Sequence, residues 1–166
     1  MDPRSNMPDL VFGSRTAGAG LRSILATHCT QSGAAYAALL EESGFIYADA
    51  GDDSLRDHGE TAALAVGAWH ATREVARRLG ETNFNGITHE GRDRHFFISP
   101  VDDRFILLTV FGNDTKLALV RATATRAAPA LRESLLAGAG PEMPPVRGGV
   151  SDGDIRYASE AFLPVL

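Results

Sequence analysis

The chain has 166 residues, of which 44% are hydrophobic and 22% charged, and its formal net charge is −5. This is the composition of one globular domain with room for a tail, so a wholly disordered chain is excluded. A mildly acidic chain without a lysine and arginine cluster is a poor nucleic-acid binder. Because the sequence lacks a bilayer-spanning apolar run and a signal-peptide core, and has a single cysteine, Cys29, we expect no membrane insertion and a cytoplasmic location.

The first third of the chain predicts a helix followed by a hairpin. Residues 1–9 are expected to form a flexible N-terminus. Residues 10–28 read as a helix whose apolar positions share one face, namely Leu21, Ile24, Leu25 and His28. Residues 35–41 and 45–50 are apolar runs on either side of a Glu-Ser-Gly turn, which is typical of two hairpin strands.

A long helix is predicted over residues 59–79. At about 100° per residue, one apolar stripe is expected to face the sheet, consisting of Leu64, Ala68, Ala71, Val75 and Leu79. Four side chains are expected to point away from the sheet, namely Val66, His70, Arg73 and Arg77, and Glu74 is spaced to pair with Arg78. Ala65, Trp69 and Ala76 fall on a flank. A large aromatic side chain there suggests a second burial partner, such as another copy of the helix.

Residues 80–121 organise the rest of the domain. Apolar runs at 84–88, 95–99 and 105–111, separated by Gly, Pro and Asp clusters, predict three strands of an antiparallel meander. A helix follows over 115–136, with Pro129 expected to kink or restart it. Its buried stripe is predicted to be Leu117, Val120, Ala124, Leu131 and Leu135.

The last residues are set apart by their composition. Residues 137–149 read as a Pro/Gly linker, and residues 150–166 as a tail in which the spacing of Ile155, Ala158 and Phe162 suits a short amphipathic helix or a disordered end. The domain proper is therefore assigned to residues 10–136. The order α-β-β-α-β-β-β-α predicts an α/β domain of profilin-like or PAS-like shape.

Chemistry-bearing residues are sparse in the sequence. A hairpin turning at Arg92 would place His89 opposite His95, with Glu90 or Asp93 to add a carboxylate, but two such histidines are more often a surface pair than a metal site. We therefore assign no catalytic residue, no metal and no cofactor. From the residues alone, the chain is an α/β domain with an extra apolar surface.

Four segments in order give the chain a resemblance to a known family. They are SGFIYADAG at 43–51, the alanine-rich helix at 61–79, GETNF with HEG at 80–91, and FGNDTKLALVR at 111–121. Together they resemble the roadblock family, and within it the MglB type that regulates a bacterial Ras-like GTPase. The resemblance implies a roadblock (profilin-like) fold whose five-stranded antiparallel sheet continues across a homodimer.

The resemblance also implies sites and a function. Its dimer interface would include Ala65, Trp69, Ala76, Phe84 and Ile87. Its GTPase-binding face would consist of Val66, His70, Arg73, Glu74 and Arg77. A tail contact would use Ile155 and Phe162. The implied protein is not an enzyme but a regulator, which stimulates hydrolysis by repositioning the catalytic residues of the GTPase, in cell polarity or motility. The alternatives are a non-activating roadblock scaffold or adaptor and, with less support from the strands, a PAS-like ligand sensor.

Overall fold

The computed structural model describes residues 12–56 and 59–138. The helices are α1 (Phe12–Ser32), α2 (Glu60–Arg78) and α3 (Leu117–Gly138), with one 3-10 turn at Asp53–Leu55 before α2. The strands are β1 (Tyr36–Glu41), β2 (Ile46–Gly51), β3 (Ile87–Glu90), β4 (Arg94–Pro100) and β5 (Phe105–Gly112). This confirms the predicted order α-β-β-α-β-β-β-α. The predicted N-terminal segment 1–9, the linker beyond residue 138, and the tail with Ile155 and Phe162 lie outside the described residues.

The five strands form one antiparallel sheet in the order β2-β1-β5-β4-β3. β1 and β5 occupy its centre, which explains why they are the most apolar strands and are almost wholly buried. β2 and β3 are the two edges. A register shift between Leu39 and Leu40 marks a bulge in the pairing of β1 with β2.

The sheet separates two hydrophobic cores. The helices α1 and α3 cover one face, where Leu25, Leu39, Leu107 and Leu131 are fully buried. The helix α2 covers the other face, where Trp69 packs with Leu40, Ile98 and Ile106. The domain therefore has three layers, with two helices on one side of the sheet and one on the other.

The predicted inner faces of α1 and α3 are confirmed. Leu21, Leu25 and His28 are buried on α1, and Val120 and Leu131 on α3. In α3 the helix runs on through Pro129, so the expected restart is absent. Pro129 lies on the exposed side of the helix, where the ring meets solvent rather than the core.

The third strand begins later than predicted, at Ile87 instead of residue 84. Phe84 leaves the ladder because its ring packs against Trp69, with ring centroids 4.7 Å apart. Gly86 follows with φ +151°, a conformation that favours glycine. Within the described ranges, no helix is both long and apolar enough to cross a membrane.

Candidate functional site

The inner face of α2 is built around one aromatic side chain. Trp69 is 3% exposed and packs with Phe84, which precedes β3, and the small residues Ala62 and Ala65 are buried beside it with Val66. These positions follow the i, i+3, i+4, i+7 spacing of one helix face. Burying an indole removes more apolar surface from water than burying a leucine, so Trp69 determines which side of α2 meets the sheet.

The predicted sheet-facing stripe of α2 is therefore wrong. Leu64, Val75 and Leu79 are 74%, 56% and 77% exposed, and Ala68 and Ala71 between them are exposed as well. We call these five residues the apolar ridge. Large apolar side chains exposed along one side of a helix are typical of surfaces that bind a partner.

Because the Trp69 side of α2 faces the sheet, three of the predicted site residues lie elsewhere than expected. Val66, expected to point outward toward a GTPase, is only 5% exposed and packs against the sheet. Ala65 and Trp69, expected on a flank open to a second copy, are covered by their own sheet. All three are core residues, because they lie on the Trp69 side of the helix. Ala76, Phe84 and Ile87 remain partly exposed.

The four polar residues predicted for the outer surface lie on one side of α2, between the ridge and the buried face. His70, Arg73, Glu74 and Arg77 form what we call the charged flank. The Oε1 atom of Glu42 in the β1–β2 turn lies 4.0 Å from His70 Nε2 and 3.9 Å from Arg73 Nη1. The flank thus adjoins the hairpin turn, which a sequence pattern confined to the helix does not reveal.

Glu74 fixes the C-terminal end of the charged flank. Arg77 donates to both Glu74 carboxylate oxygens at 2.8 Å, and Arg78 donates to one of them at 2.8 Å. These hydrogen bonds, first from Arg77 and then from Arg78, lower the pKa of Glu74 to about 2. The carboxylate therefore stays ionised at neutral pH and holds two guanidinium groups on the surface of α2.

The edge strand β3 begins beside α2, because Phe84 and Ile87 pack against the core cluster that contains Trp69. β3 pairs with β4 on one side, and no strand of the described residues pairs with its other side. Ile87 and Thr88 are half-buried at this edge, and Phe84 just before them is held by Trp69 of α2. An edge strand offers free backbone hydrogen-bonding groups to a partner.

The histidine pair of the β3–β4 hairpin does not form as predicted. Glu90, not His89, is opposite His95, so the two histidines point to opposite faces of the sheet. His89 stacks on Phe96 at 4.9 Å, and His95 Nε2 lies 2.7 Å from Asn113 Oδ1. Among the described residues, no three His, Cys, Asp or Glu side chains group as metal ligands.

The sheet face beside α2 also carries a concavity of about 380 Å³. Its lining is mainly apolar but includes Arg56, Arg94 and the buried Tyr36. The Tyr36 hydroxyl lies 3.3 Å from Asp49 Oδ2, and Asp49 accepts from Arg56 Nε at 2.7 Å. Tyr36 thus gives the inner strands an inward polar group at this concavity. Its hydroxyl is already hydrogen-bonded to a carboxylate that an arginine neutralises.

Several solved structures have the same arrangement of helices and strands as this chain. MglB of Myxococcus xanthus is 25% identical over 70% of this chain and 94% of its own, with a TM-score of 0.65. The gliding protein MglB of Thermus thermophilus is 23% identical over 81% of this chain and 97% of its own, with a TM-score of 0.64. An MglB structure with a tetrameric arrangement is 23% identical over 83% and 99%, with a TM-score of 0.65.

The family assignment rests on the sequence as well as on the fold. No curated protein sequence matches the chain. The model of the Roadblock/LC7 domain matches residues 29–111, from the end of α1 to the end of β5. That range includes α2 with its ridge and charged flank, together with all five strands. The chain therefore belongs to the Roadblock/LC7 domain family.

Proposed function

We propose that this protein is a homodimeric regulator that binds a Ras-like small GTPase and stimulates its GTP hydrolysis. The observation that carries the proposal is the exposed surface of α2, which presents an apolar ridge and a separate charged flank. The roadblock fold and the likeness to MglB structures support it. A cytoplasmic role in cell polarity or motility follows from the same resemblance.

The first step of the proposal is the homodimer. Two copies related by a two-fold axis can pair their β3 edges antiparallel and bring ridge against ridge. Pairing satisfies the free backbone groups of both edges and joins the two sheets into one. Ala76, Phe84 and Ile87 would lie at the seam, with Trp69 beneath Phe84 as its support. The apolar ridge supplies the buried area, and it takes the place of Trp69 and Ala65 in the interface.

The second step is recognition of the GTPase by the charged flank. His70, Arg73 and Arg77 are solvent-accessible, and the guanidinium groups give the flank a positive character that suits acidic groups on a partner. Glu74 and Glu42 orient these side chains before a partner arrives, which lowers the entropy lost on binding.

The third step is stimulation without a catalytic group from this chain. Arg77 and Arg78 are both held by Glu74, so neither can enter the active site of a GTPase without losing its ion pair. The resemblance to the MglB type implies that the regulator acts by repositioning the groups of the GTPase itself. Occupied arginines also favour the alternative, a scaffold that binds the GTPase and leaves hydrolysis unchanged.

A single-turnover assay separates these functions. GTP hydrolysis by each Ras-like protein of the source organism is measured with and without this protein, and binding is measured in parallel by calorimetry. Acceleration supports the proposed regulator, whereas binding without acceleration establishes the scaffold. Absence of both would contradict a GTPase partner.

A further inference from the structure

A groove on the opposite side of the sheet from α2 carries two arginines that the proposed function does not use. It has a volume of about 480 Å³ and lies between α3 and the β3–β4 edge. Phe97, Ala124 and Ala128 form its apolar floor, and Arg121 and Arg132 stand above it, three turns of α3 apart. We call this the α3 groove.

Both arginines lack a carboxylate partner among the described residues. Arg121 donates to Thr88 Oγ1 at 3.2 Å and lies over the Phe97 ring, 5.5 Å from its centroid. Arg132 reaches only the backbone carbonyl of Ala128, at 3.5 Å. Neither guanidinium is in an ion pair with another described residue. Within the same part of the chain, no acidic side chain lines the groove, which makes it a receptor for a segment that is acidic and apolar together.

The sequence after α3 supplies such a segment. Residues 151–162 contain Asp152, Asp154 and Glu160 against one arginine, and the apolar Ile155 and Phe162. The helix α3 lines the groove and also leads into this segment, so the segment is covalently tethered close to the groove. The three carboxylates of this segment are opposite in charge to the two arginines of the groove, which have no carboxylate partner among the described residues.

The distances suit attachment within one chain. Arg132 is six residues before the end of α3 and Arg121 is seventeen before it, which corresponds to about 9 Å and about 25 Å at ~1.5 Å per residue. The twelve residues 139–150 span roughly 17–20 Å if they behave as a Gly-rich coil. A tether of matched length gives a high effective concentration at the groove.

We propose that residues 151–162 dock into the α3 groove of their own chain, with the aspartates pairing with Arg121 and Arg132 and the apolar side chains covering Phe97. This docking does not rest on the GTPase proposal, because groove and tail lie on one chain.

The test uses the full-length protein with a nitroxide spin label on a Ser159→Cys substitution and Cys29→Ala to leave one thiol. Paramagnetic broadening of backbone amide signals is measured by NMR. We expect the signals of Gly86, Ala124 and Ala128 to lose at least half of their intensity. The variant Arg121→Glu/Arg132→Glu should restore them, and Arg126→Glu, on another side of α3, should leave the broadening unchanged.

Two further measurements distinguish a loss of docking from misfolding of the charge-reversed variant. Raising the salt concentration should weaken broadening in the unmutated groove, because exposed ion pairs are screened. Adding Asp152→Arg/Asp154→Arg to the doubly reversed groove should recover the broadening. The proposal is overturned if the label broadens the α2 ridge instead, if the charge reversals have no effect, or if a mixture of labelled and isotope-enriched chains shows that all broadening arises between copies.

Discussion

At the scale of single residues, His28 combines burial with a titratable ring. It is 2% exposed, and its Nε2 lies 3.0 Å from Thr109 Oγ1 of β5. Burial lowers the pKa of the imidazole, and the Thr123 backbone opposes this only weakly because Nδ1 has no partner in hydrogen-bond geometry among the described residues. The native state therefore holds His28 neutral, while the unfolded chain takes up a proton as the pH falls through about 6.5.

The sign of the resulting pH dependence follows from linkage. The unfolded state binds more protons than the native state below about pH 6.5, so stability is complete above that pH and decreases below it. We expect the melting temperature to fall between about pH 7 and about pH 5. In the double variant His28→Leu/Thr109→Val, which removes both polar partners, a shallower decrease is expected. An unchanged slope would show that other groups cause it.

Cys29 provides a second expectation at this scale. The thiol is buried next to His28, and burial raises its pKa to about 11. Because the thiolate is the reactive form, iodoacetamide at about pH 8 should modify the native protein very slowly. Modification should become fast in denaturant, as followed by mass spectrometry. Rapid labelling of the native protein would mean that α1 separates from β2 readily.

Gly86, just before β3, occupies a position where a side chain would clash with its neighbours. A Cβ atom there would lie 2.5 Å from the Phe97 ring and 2.7 Å from the Ile98 carbonyl oxygen, at φ +151°. We expect Gly86→Ala to destabilise the domain by ~2 kcal/mol or more. The matched control is Gly18→Ala in α1, where a Cβ meets no atom within 4 Å, and it should stabilise by ~0.5–1 kcal/mol. Urea unfolding measures both.

At the scale of elements, α2 has two apolar faces with different tasks. Leu64 on the ridge is 74% exposed, whereas Val66 two residues later is 5% exposed. Leu64→Glu should change the free energy of unfolding by less than ~0.5 kcal/mol and yet weaken the dimer. Val66→Glu should cost at least ~3 kcal/mol, because it buries a carboxylate against the sheet.

Analytical ultracentrifugation at micromolar concentration measures how far Leu64→Glu weakens the dimer. Thermal unfolding measures the loss of stability in each variant. A dimer unaffected by Leu64→Glu would remove the ridge from the interface. A monomeric unmutated protein would remove the interface altogether.

The three helices differ in how well their buried faces can be predicted from the sequence. The inner faces of α1 and α3 are predictable, since large residues such as Leu21 and Leu131 recur at helical spacing among polar ones. In α2, alanine occurs on every side and gives no direction. Leu64 and Val75 therefore decided the predicted buried face, against a single tryptophan. Packing reverses this, because Trp69 meets Phe84, fifteen residues away in the sequence. The exposure of His70, Arg73, Glu74 and Arg77 was predicted because charged side chains rarely enter a core, whereas Val66, an apolar residue, was placed on the wrong side.

At the scale of the whole molecule, the proposed recognition surface should separate from the dimer interface. Arg73→Glu/Arg77→Glu reverses two charges of the flank and leaves the ridge intact. We expect at least a tenfold loss of GTPase affinity, about 1.4 kcal/mol, with the dimer preserved. Arg22→Glu on α1 is the matched control, exposed on the other side of the sheet. Unchanged affinity in the double variant would place the GTPase elsewhere.

The two edges of the sheet have opposite consequences for how far assembly can proceed. The proposed pairing through β3 would leave β2 at both outer ends of the joined sheet, so a β2 that accepted another strand would make growth open-ended. The bulge between Leu39 and Leu40 and the Asp49–Arg56 ion pair make β2 a poor flat template for a further strand. If two copies pair through β3, we therefore expect assembly to stop at that pair, because an irregularity of the β1–β2 pairing protects the other edge.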